Sequence, residues 1–585
     1  MNHGSTCCRT KRILEKTAEI FLIFSLLILV AFPTPVEAQV DTSREDSLVK
    51  DALQYIETNR KGTTQIQLID EATGKPVTRS QVQYQQTSHD FIFSTHFAGG
   101  LYRAMKMLGL EWSGDVRLSW ADIQPTKGTY DYSKPDRQIS MLRQNQTVRL
   151  WGRFMGLLID WNYIESPRPP SFADIDHISD PAVFSQYKDL VYEFVFNVVT
   201  HYKGTFLAYM TQIEVNWPDD AMKYKLCTRR LWTVEQAVEL DKVVANAVRR
   251  ADPNAIIMLG TSTASKGASG RGVDALQFAR MCLQSGVDVD MVAVEAYPFD
   301  GSPAFFYDYV KELAKLGKPV FINETGFPSA KPSADESWLN SWKWHTFNEH
   351  VQALWVRYIF TLAFGMKEVA GVCLLNIIDG DPGSLYSTVV SPLFETMGVL
   401  TVARQPKESF GMLCELMANF TTSGQARTDD NGILTLRGFA GEYSIKVSGY
   451  EPIFDQIRVS EGKLERVTIR VVRLKTPEYN DASAIVASAQ SNLSKLSASN
   501  LQSQEAKDLA QQAATEYRLA LEALNRWELD SARTHARKSM QLAEQALQMQ
   551  QQQDYFRLSA ILVPIALVVG LAVVFLVRSR YKGGK

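Results

Sequence analysis

Cysteine is scarce in these 585 residues, six in all, and two of them, Cys7 and Cys8, precede the first apolar stretch. The other four, Cys227, Cys282, Cys373 and Cys414, show no CxxC pattern and no regular spacing. They read as buried or free thiols, which excludes a disulfide framework and a zinc-binding cluster. Histidine is equally thin, eight residues without an HExxH or similar spacing, so metal catalysis is not expected. Neither sign of charge dominates. The formal net charge is −2, which gives no electrostatic ground for binding nucleic acid.

What the chain does have is an apolar run at each end. Arg9, Lys11, Arg12 and Lys16 precede Ile20 to Phe32, and Val36-Glu-Ala38 follows. A basic flank, an apolar stretch and a small residue make residues 1–38 a signal peptide, cleaved after Ala38; an uncleaved N-terminal anchor is the alternative. Leu558 to Val577 carries no charge and is long enough, as a helix, to cross a hydrocarbon layer of about 30 Å. Arg578, Arg580, Lys582 and Lys585 follow at once and place the tail, 578–585, in the cytoplasm. The expectation is a single-pass protein of the cell surface, with everything from Gln39 to Arg557 outside.

A chain of this length holds more than one domain. Ser43 to Arg60 has helical apolar spacing at Leu48, Ala52, Leu53 and Ile56, so 39–62 is expected to form a helix against the next domain. Thr64 to Asp70 and Ser80 to Gln86 alternate in the strand manner around Thr73-Gly-Lys-Pro76. A second cluster of strand signals, with the turn Asp429-Asp-Asn-Gly432, fills Gly424 to Leu474. Neither piece has enough strands to bury two sheet faces. We therefore expect 63–88 and 422–474 to form one discontinuous β-sandwich, two separate decorations being the alternative. Residues 475–557 are rich in Ala, Gln, Ser and Leu and read as two or three helices forming a stalk, followed by the transmembrane helix at 558–577.

Between the β pieces, 89–421 alternates strand and helix signals in the order of a (β/α)₈ TIM barrel, so the fold class is α/β. Its strands are expected at Phe91–Phe93, at Leu118 onward, at Val148–Gly152, Ala208–Val215 and Ala255–Gly260, then at Asp290–Val294, Val320–Ile322 and Gly371–Ile377. The seventh carries the most information. Lys318-Pro-Val-Phe-Ile-Asn-Glu-Thr-Gly-Phe-Pro-Ser329 is an apolar run ending in Glu324, broken at Gly326 and Pro328. That is how a barrel strand presents an acid at its C-terminal rim.

Several stretches resemble the clan A glycoside hydrolases, family 10 in particular. Val320-Phe-Ile-Asn-Glu-Thr-Gly326 is similar to their seventh strand, and Trp120-Ala-Asp-Ile-Gln-Pro-x-x-Gly-x-Tyr-Asp-Tyr132 to their Trp-x-x-Ile-Glu-Pro signature. His89-Asp-Phe-Ile-Phe93, Val292-Ala-Val-Glu-Ala-Tyr-Pro298, Met397-Gly-Val-Leu400 and Gln405-Pro-Lys407 add to the likeness, in register along the whole barrel. The β pieces resemble a carboxypeptidase-regulatory-like sandwich through Asp70-x-x-Thr-Gly-Lys-Pro-Val77, Thr428-Asp-x-Asn-Gly432 and Gly441-x-Tyr-x-Ile-x-Val447.

The resemblance implies retaining hydrolysis of O-glycosidic bonds in a poly- or oligosaccharide, with Glu324 as nucleophile. It implies no cofactor, because two carboxyl groups do this chemistry. The second, the general acid/base, belongs after an Asn on the fourth strand. Here Thr211-Gln-Ile-Glu-Val-Asn-Trp-Pro218 puts Trp217 there, behind Asn216, and an indole cannot protonate a leaving oxygen. Glu214, two residues before Asn216 and so on the same strand face, is the first substitute; Asp219, Asp220 and Glu295 are others. Trp120, Arg153, Trp161, Trp217, Tyr297 and Asn216 are the candidates for binding sugar. A barrel that binds glycans without cleaving them is the competing reading, and a purely structural surface component a third.

Overall fold

The computed structural model describes residues 40–96, 101–143, 148–158, 169–216, 232–262, 272–332, 344–380 and 394–581. The expected signal peptide, Trp161, Trp217, Asp219, Asp220 and the basic residues Lys582 and Lys585 lie outside them. The chain divides into two compact units, residues 1–57 with 91–419, and 58–90 with 420–585. In chain order the strands begin with β1 (Lys61–Asp70) and β2 (Gln81–His89) of the second unit. The first unit contributes β3 (Ile92–Thr95), β4 (Trp112–Ser119), β5 (Arg149–Met155), β6 (Ala208–Met210), β7 (Ile256–Gly260), β8 (Met291–Ala296), β9 (Val320–Thr325) and β10 (Val369–Leu374).

These eight close into a barrel, β10-β3-β4-β5-β6-β7-β8-β9, and every pairing in it is parallel. Parallel strands are covered by helices outside and by each other's side chains inside, so they read as unbroken apolar runs. Met291-Val-Ala-Val and Val320-Phe-Ile are such runs, buried at every position. The seam between β10 and β3 needs Gly371, where a Cβ would stand 2.4 Å from that of Ile92. Inside, Trp151 fills the barrel: its indole donates to Ser94 Oγ at 3.0 Å, and Gly114 leaves the space that the ring occupies.

Helices between the strands are set by local signals. Thr233 and Gln236 form a capping box at the start of Val234–Ala251, satisfying two N–H groups that a helix end leaves free. The N-terminal helix Ser43–Asn59 packs through Val49, Ala52 and Ile56. Its Glu45, wholly buried, accepts from the backbone N–H of Ala304 at the start of the helix Pro303–Ala314. Asp46 accepts from the Tyr358 hydroxyl at 2.7 Å.

Two strands differ from the sequence expectation. The stretch from Leu118 onward ends β4 at Ser119 and turns at once into a short helix, Trp120–Ile123. The fourth barrel strand was expected to run from Ala208 to Val215 but stops at Met210. Its continuation bends instead, and Glu214 takes a left-handed backbone with φ 56°.

The second unit adds β11 (Ser423–Arg427), β12 (Ile433–Phe439), β13 (Gly441–Val447), β14 (Tyr450–Pro452), β15 (Gln456–Val459) and β16 (Leu464–Arg473). They join β1 and β2 in a mixed eight-stranded sheet, β11-β2-β13-β14-β16-β1-β12, with β15 on β13. β1 pairs with β12 and β16, and β2 with β11 and β13. Ile66, Leu68, Val82, Leu436, Tyr443, Val459 and Val471 form one buried core. Helices Pro477–Ala498, Gln504–Asn525 and Leu529–Tyr581 follow. Fully buried alanines, among them Ala482, Ala513, Ala520, Ala536 and Ala543, let these backbones approach closely. The last helix runs on through Leu558 to Val577 and is long and apolar enough to cross a membrane.

Candidate active site

Glu324 is the fifth residue of β9, at the C-terminal rim of the barrel. Opposite β8, the register slips by one between Val294–Ile322 and Glu295–Glu324, which leaves Asn323 as an extra residue. Such a bulge re-aims the side chains beyond it. The Glu324 carboxylate is 8% exposed as a residue and is held from three sides. Arg153 Nη1 donates to Oε1 at 3.2 Å and the Tyr297 hydroxyl donates to Oε2 at 2.8 Å. His96 Nε2 stands 3.5 Å from Oε1 and 3.2 Å from the Asn323 carbonyl oxygen. Two acceptors around one ring nitrogen favour the tautomer that carries its proton there.

Arg153 is itself 1% exposed, so the ion pair is desolvated, and both charges depend on each other. Tyr297 is equally buried and stacks on Phe299. Burial, then the nearby Glu324 and Glu295, push its phenol well above the usual range, so it stays a donor.

Two more carboxyls lie within electrostatic reach. Glu214 is half-buried, and its pKa is raised to about 8, first by loss of solvent and second by Glu324, against the opposing pull of Arg153. Glu295 is buried on β8 beside Glu324, with Oε1 lacking a hydrogen-bond partner among the described residues. Burial, then Glu214, Glu324 and Asp300, push it well above the carboxylate range. One guanidinium facing three carboxyls cannot hold all of them ionised, and the separation follows from that. A pair of carboxyls driven apart in acidity is the arrangement that supports one nucleophile and one proton donor at the same pH.

No protein-family model matches the chain, and no match is found among curated proteins. Among solved structures, it is similar to xylanase B from Clostridium stercorarium F9, at 17% identity over 56% of this chain and 96% of that one, with a TM-score of 0.42. Xylanase 10B from Thermotoga maritima is similar at 16% identity over 56% and 94%, TM-score 0.39. An exo-β-1,4-mannosidase from Opitutaceae bacterium strain TAV5 matches at 16% identity over 60% and 61%, TM-score 0.42. The barrel itself is established by its own strand register.

Of the residues singled out in the sequence, Glu324, Arg153, Tyr297, Glu214 and Glu295 come together. Trp120 does not join them. Its ring is wholly buried, stacked on Phe194 and edge-on to Tyr187 and Phe172, and Nε1 donates to Gln124; no face is left for a sugar. Asn216 is likewise spent inside the protein. Its amide donates to Ser262 Oγ and the Val273 carbonyl, and its oxygen accepts from the Ser262 N–H. The expected shared strand face of Glu214 and Asn216 fails, because the strand has already ended. Trp161 and Trp217 lie outside the described residues. His96, absent from the sequence candidates, sits just past β3; its signal was a polar Ser-Thr-His closing the first barrel strand.

The Arg153 contact yields a prediction. On the reading proposed below, Arg153→Met should lower turnover about 10²-fold, since Glu324 loses a donor that positions it, and should raise the Glu214 pKa further above 8. The sign follows from the guanidinium now holding that pKa down, and a pH–rate profile reads it.

Proposed function

We propose that this chain is a membrane-tethered glycoside hydrolase that cleaves O-glycosidic bonds with retention. Glu324 is the nucleophile: it attacks the anomeric carbon while Arg153 and Tyr297 hold its two oxygens. Glu214 is the acid/base: it gives its proton to the leaving oxygen, then takes one from the water that releases the glycosyl group. The observation that carries this reading is the Glu324–Arg153–Tyr297 constellation at the rim, with a second carboxyl close enough to be held protonated near neutral pH. The family-like motifs from Trp120 to Lys407 support it. Assaying the chain on activated aryl glycosides and on a polysaccharide panel tests it, with Glu324→Gln as control.

One observation favours the alternative, a barrel that binds glycans without hydrolysis. The position after Asn216, where the resemblance places the acid/base, holds Trp217, and an indole cannot protonate a leaving oxygen. Binding without turnover by the intact chain is the outcome that would select this reading.

The tether belongs to the same proposal. Leu558, Ile561, Leu571 and Phe575 are all more than half exposed along the last helix, an apolar surface of the kind that contacts lipid. The full chain should partition into the detergent phase of a cloud-point separation, and a chain ending at Gln553 into the aqueous phase. Aqueous partition of both would remove the tether.

A further inference from the structure

A non-glycine residue in the left-handed region is strained unless its surroundings fix it there, and such strain concentrates at working sites. Glu214, at φ 56°, is one of four such residues among those described, and the one among them whose carboxyl interacts with Glu324 and Arg153. The residues around it are pinned one by one. Thr211 N–H donates to the Met258 carbonyl on β7, and its hydroxyl accepts from the Gly260 N–H at 3.3 Å. Gln212 Nε2 donates to Asp241 Oδ1 at 3.0 Å, and the Gln212 carbonyl lies so close to Gly260 that a Cβ there would stand 1.5 Å from its oxygen. Val215 O accepts from the Trp232 indole at 2.8 Å, and Asn216 makes the three bonds given above. Glu214 stands between two clamped ends.

The clamp residue that stands furthest from the chemistry is Asp241. It lies on the helix Val234–Ala251, wholly buried, and among the described residues meets the site through Gln212 and Thr211. A buried carboxyl that meets no cation among the described residues is costly to keep, which a merely space-filling position would not require. We propose that Asp241 is a positioning residue: with Gly260, it locks Gln212 so that the kink at Glu214 persists and its carboxyl stays in the Glu324 pocket. This rests on the reading of Glu214 as proton donor, but its test does not.

The readout is the titration of Glu214 itself, followed in the full-length protein by the infrared carboxyl stretch and assigned by subtracting the spectrum of Glu214→Gln. Asp241→Leu removes the acceptor and keeps the volume; Gly260→Ala forces the Gln212 carbonyl away without touching Asp241. Both should move the Glu214 midpoint from about 8 toward the ordinary 4.5, because the side chain leaves its desolvated place. Both should lower kcat about 10²-fold with KM little changed. Asp241→Asn, which keeps an acceptor oxygen for Gln212, should restore most of the shift. Folded Asp241→Leu and Gly260→Ala proteins with an unmoved Glu214 midpoint overturn the proposal. A shifted midpoint in a chain without turnover would leave the clamp standing and remove only the hydrolase reading.

Discussion

Glu324→Gln should abolish turnover, by at least about 10⁴-fold even on aryl glycosides with excellent leaving groups, since an amide cannot form the glycosyl ester. Poor leaving groups should fare no better. The substitution also carries a stability signature that a surface glutamate would not. Arg153 is 1% exposed and pairs with this carboxylate; removing the charge leaves a buried guanidinium whose other carboxyl neighbours, Glu214 and Glu295, are pushed toward their protonated forms. Breaking such a pair costs about 3–5 kcal/mol. The amide oxygen still accepts from Arg153, so the low end of that range applies, and chemical denaturation should find a loss of about 3 kcal/mol. Arg153→Met together with Glu324→Gln should recover part of it, because neither charge then remains.

The second large effect belongs to Glu214 and depends on the leaving group. Glu214→Gln should cost about 10²–10⁴-fold on natural glycans, the usual contribution of a positioned acid, yet little on activated aryl glycosides, whose leaving oxygen needs no proton. The pH profile should carry the same residue. A donor must enter the reaction protonated, and Glu214 is so below about 8; activity on natural glycans should therefore fall as pH rises through that value. The linkage to folding has a definite sign as well. Between the ordinary carboxyl value of 4.5 and about 8, the folded chain holds a proton that the unfolded chain has released, so this group makes stability fall as pH rises across the window. Glu214→Gln should flatten both dependences.

The barrel was legible because its signals are local and repeated. Apolar runs such as Val320-Phe-Ile and Met291-Val-Ala-Val are buried on both faces, and the strand–helix alternation allows few topologies. Glu324 was legible for the same reason, a carboxylate at the end of such a run. Signals that depend on the third dimension were not. The β9 bulge at Asn323 has no local marker, and beyond the early end of β6 the Gln212 carbonyl packs on Gly260, residues 48 positions apart. Period-of-two reasoning therefore placed Asn216 beside Glu214, whereas the chain turns Asn216 into the β7 loop. Trp120 was misplaced by composition: an aromatic near a rim suggests a sugar platform, but the turn after Ser119 folds the ring into the core. His96 was passed over because a single histidine after a short strand carries no spacing signal.

A nucleophilic Glu324 would form a covalent bond to sugar, and trapping that bond tests the assignment most directly. A 2-deoxy-2-fluoro glycoside with a dinitrophenyl leaving group slows both steps but release more, so the intermediate accumulates. Mass spectrometry of the intact chain should show one added glycosyl unit, and fragmentation should place it on Glu324 and nowhere else. A chain that turns over aryl glycosides yet carries the label on another carboxylate, or never carries one, would contradict the assignment.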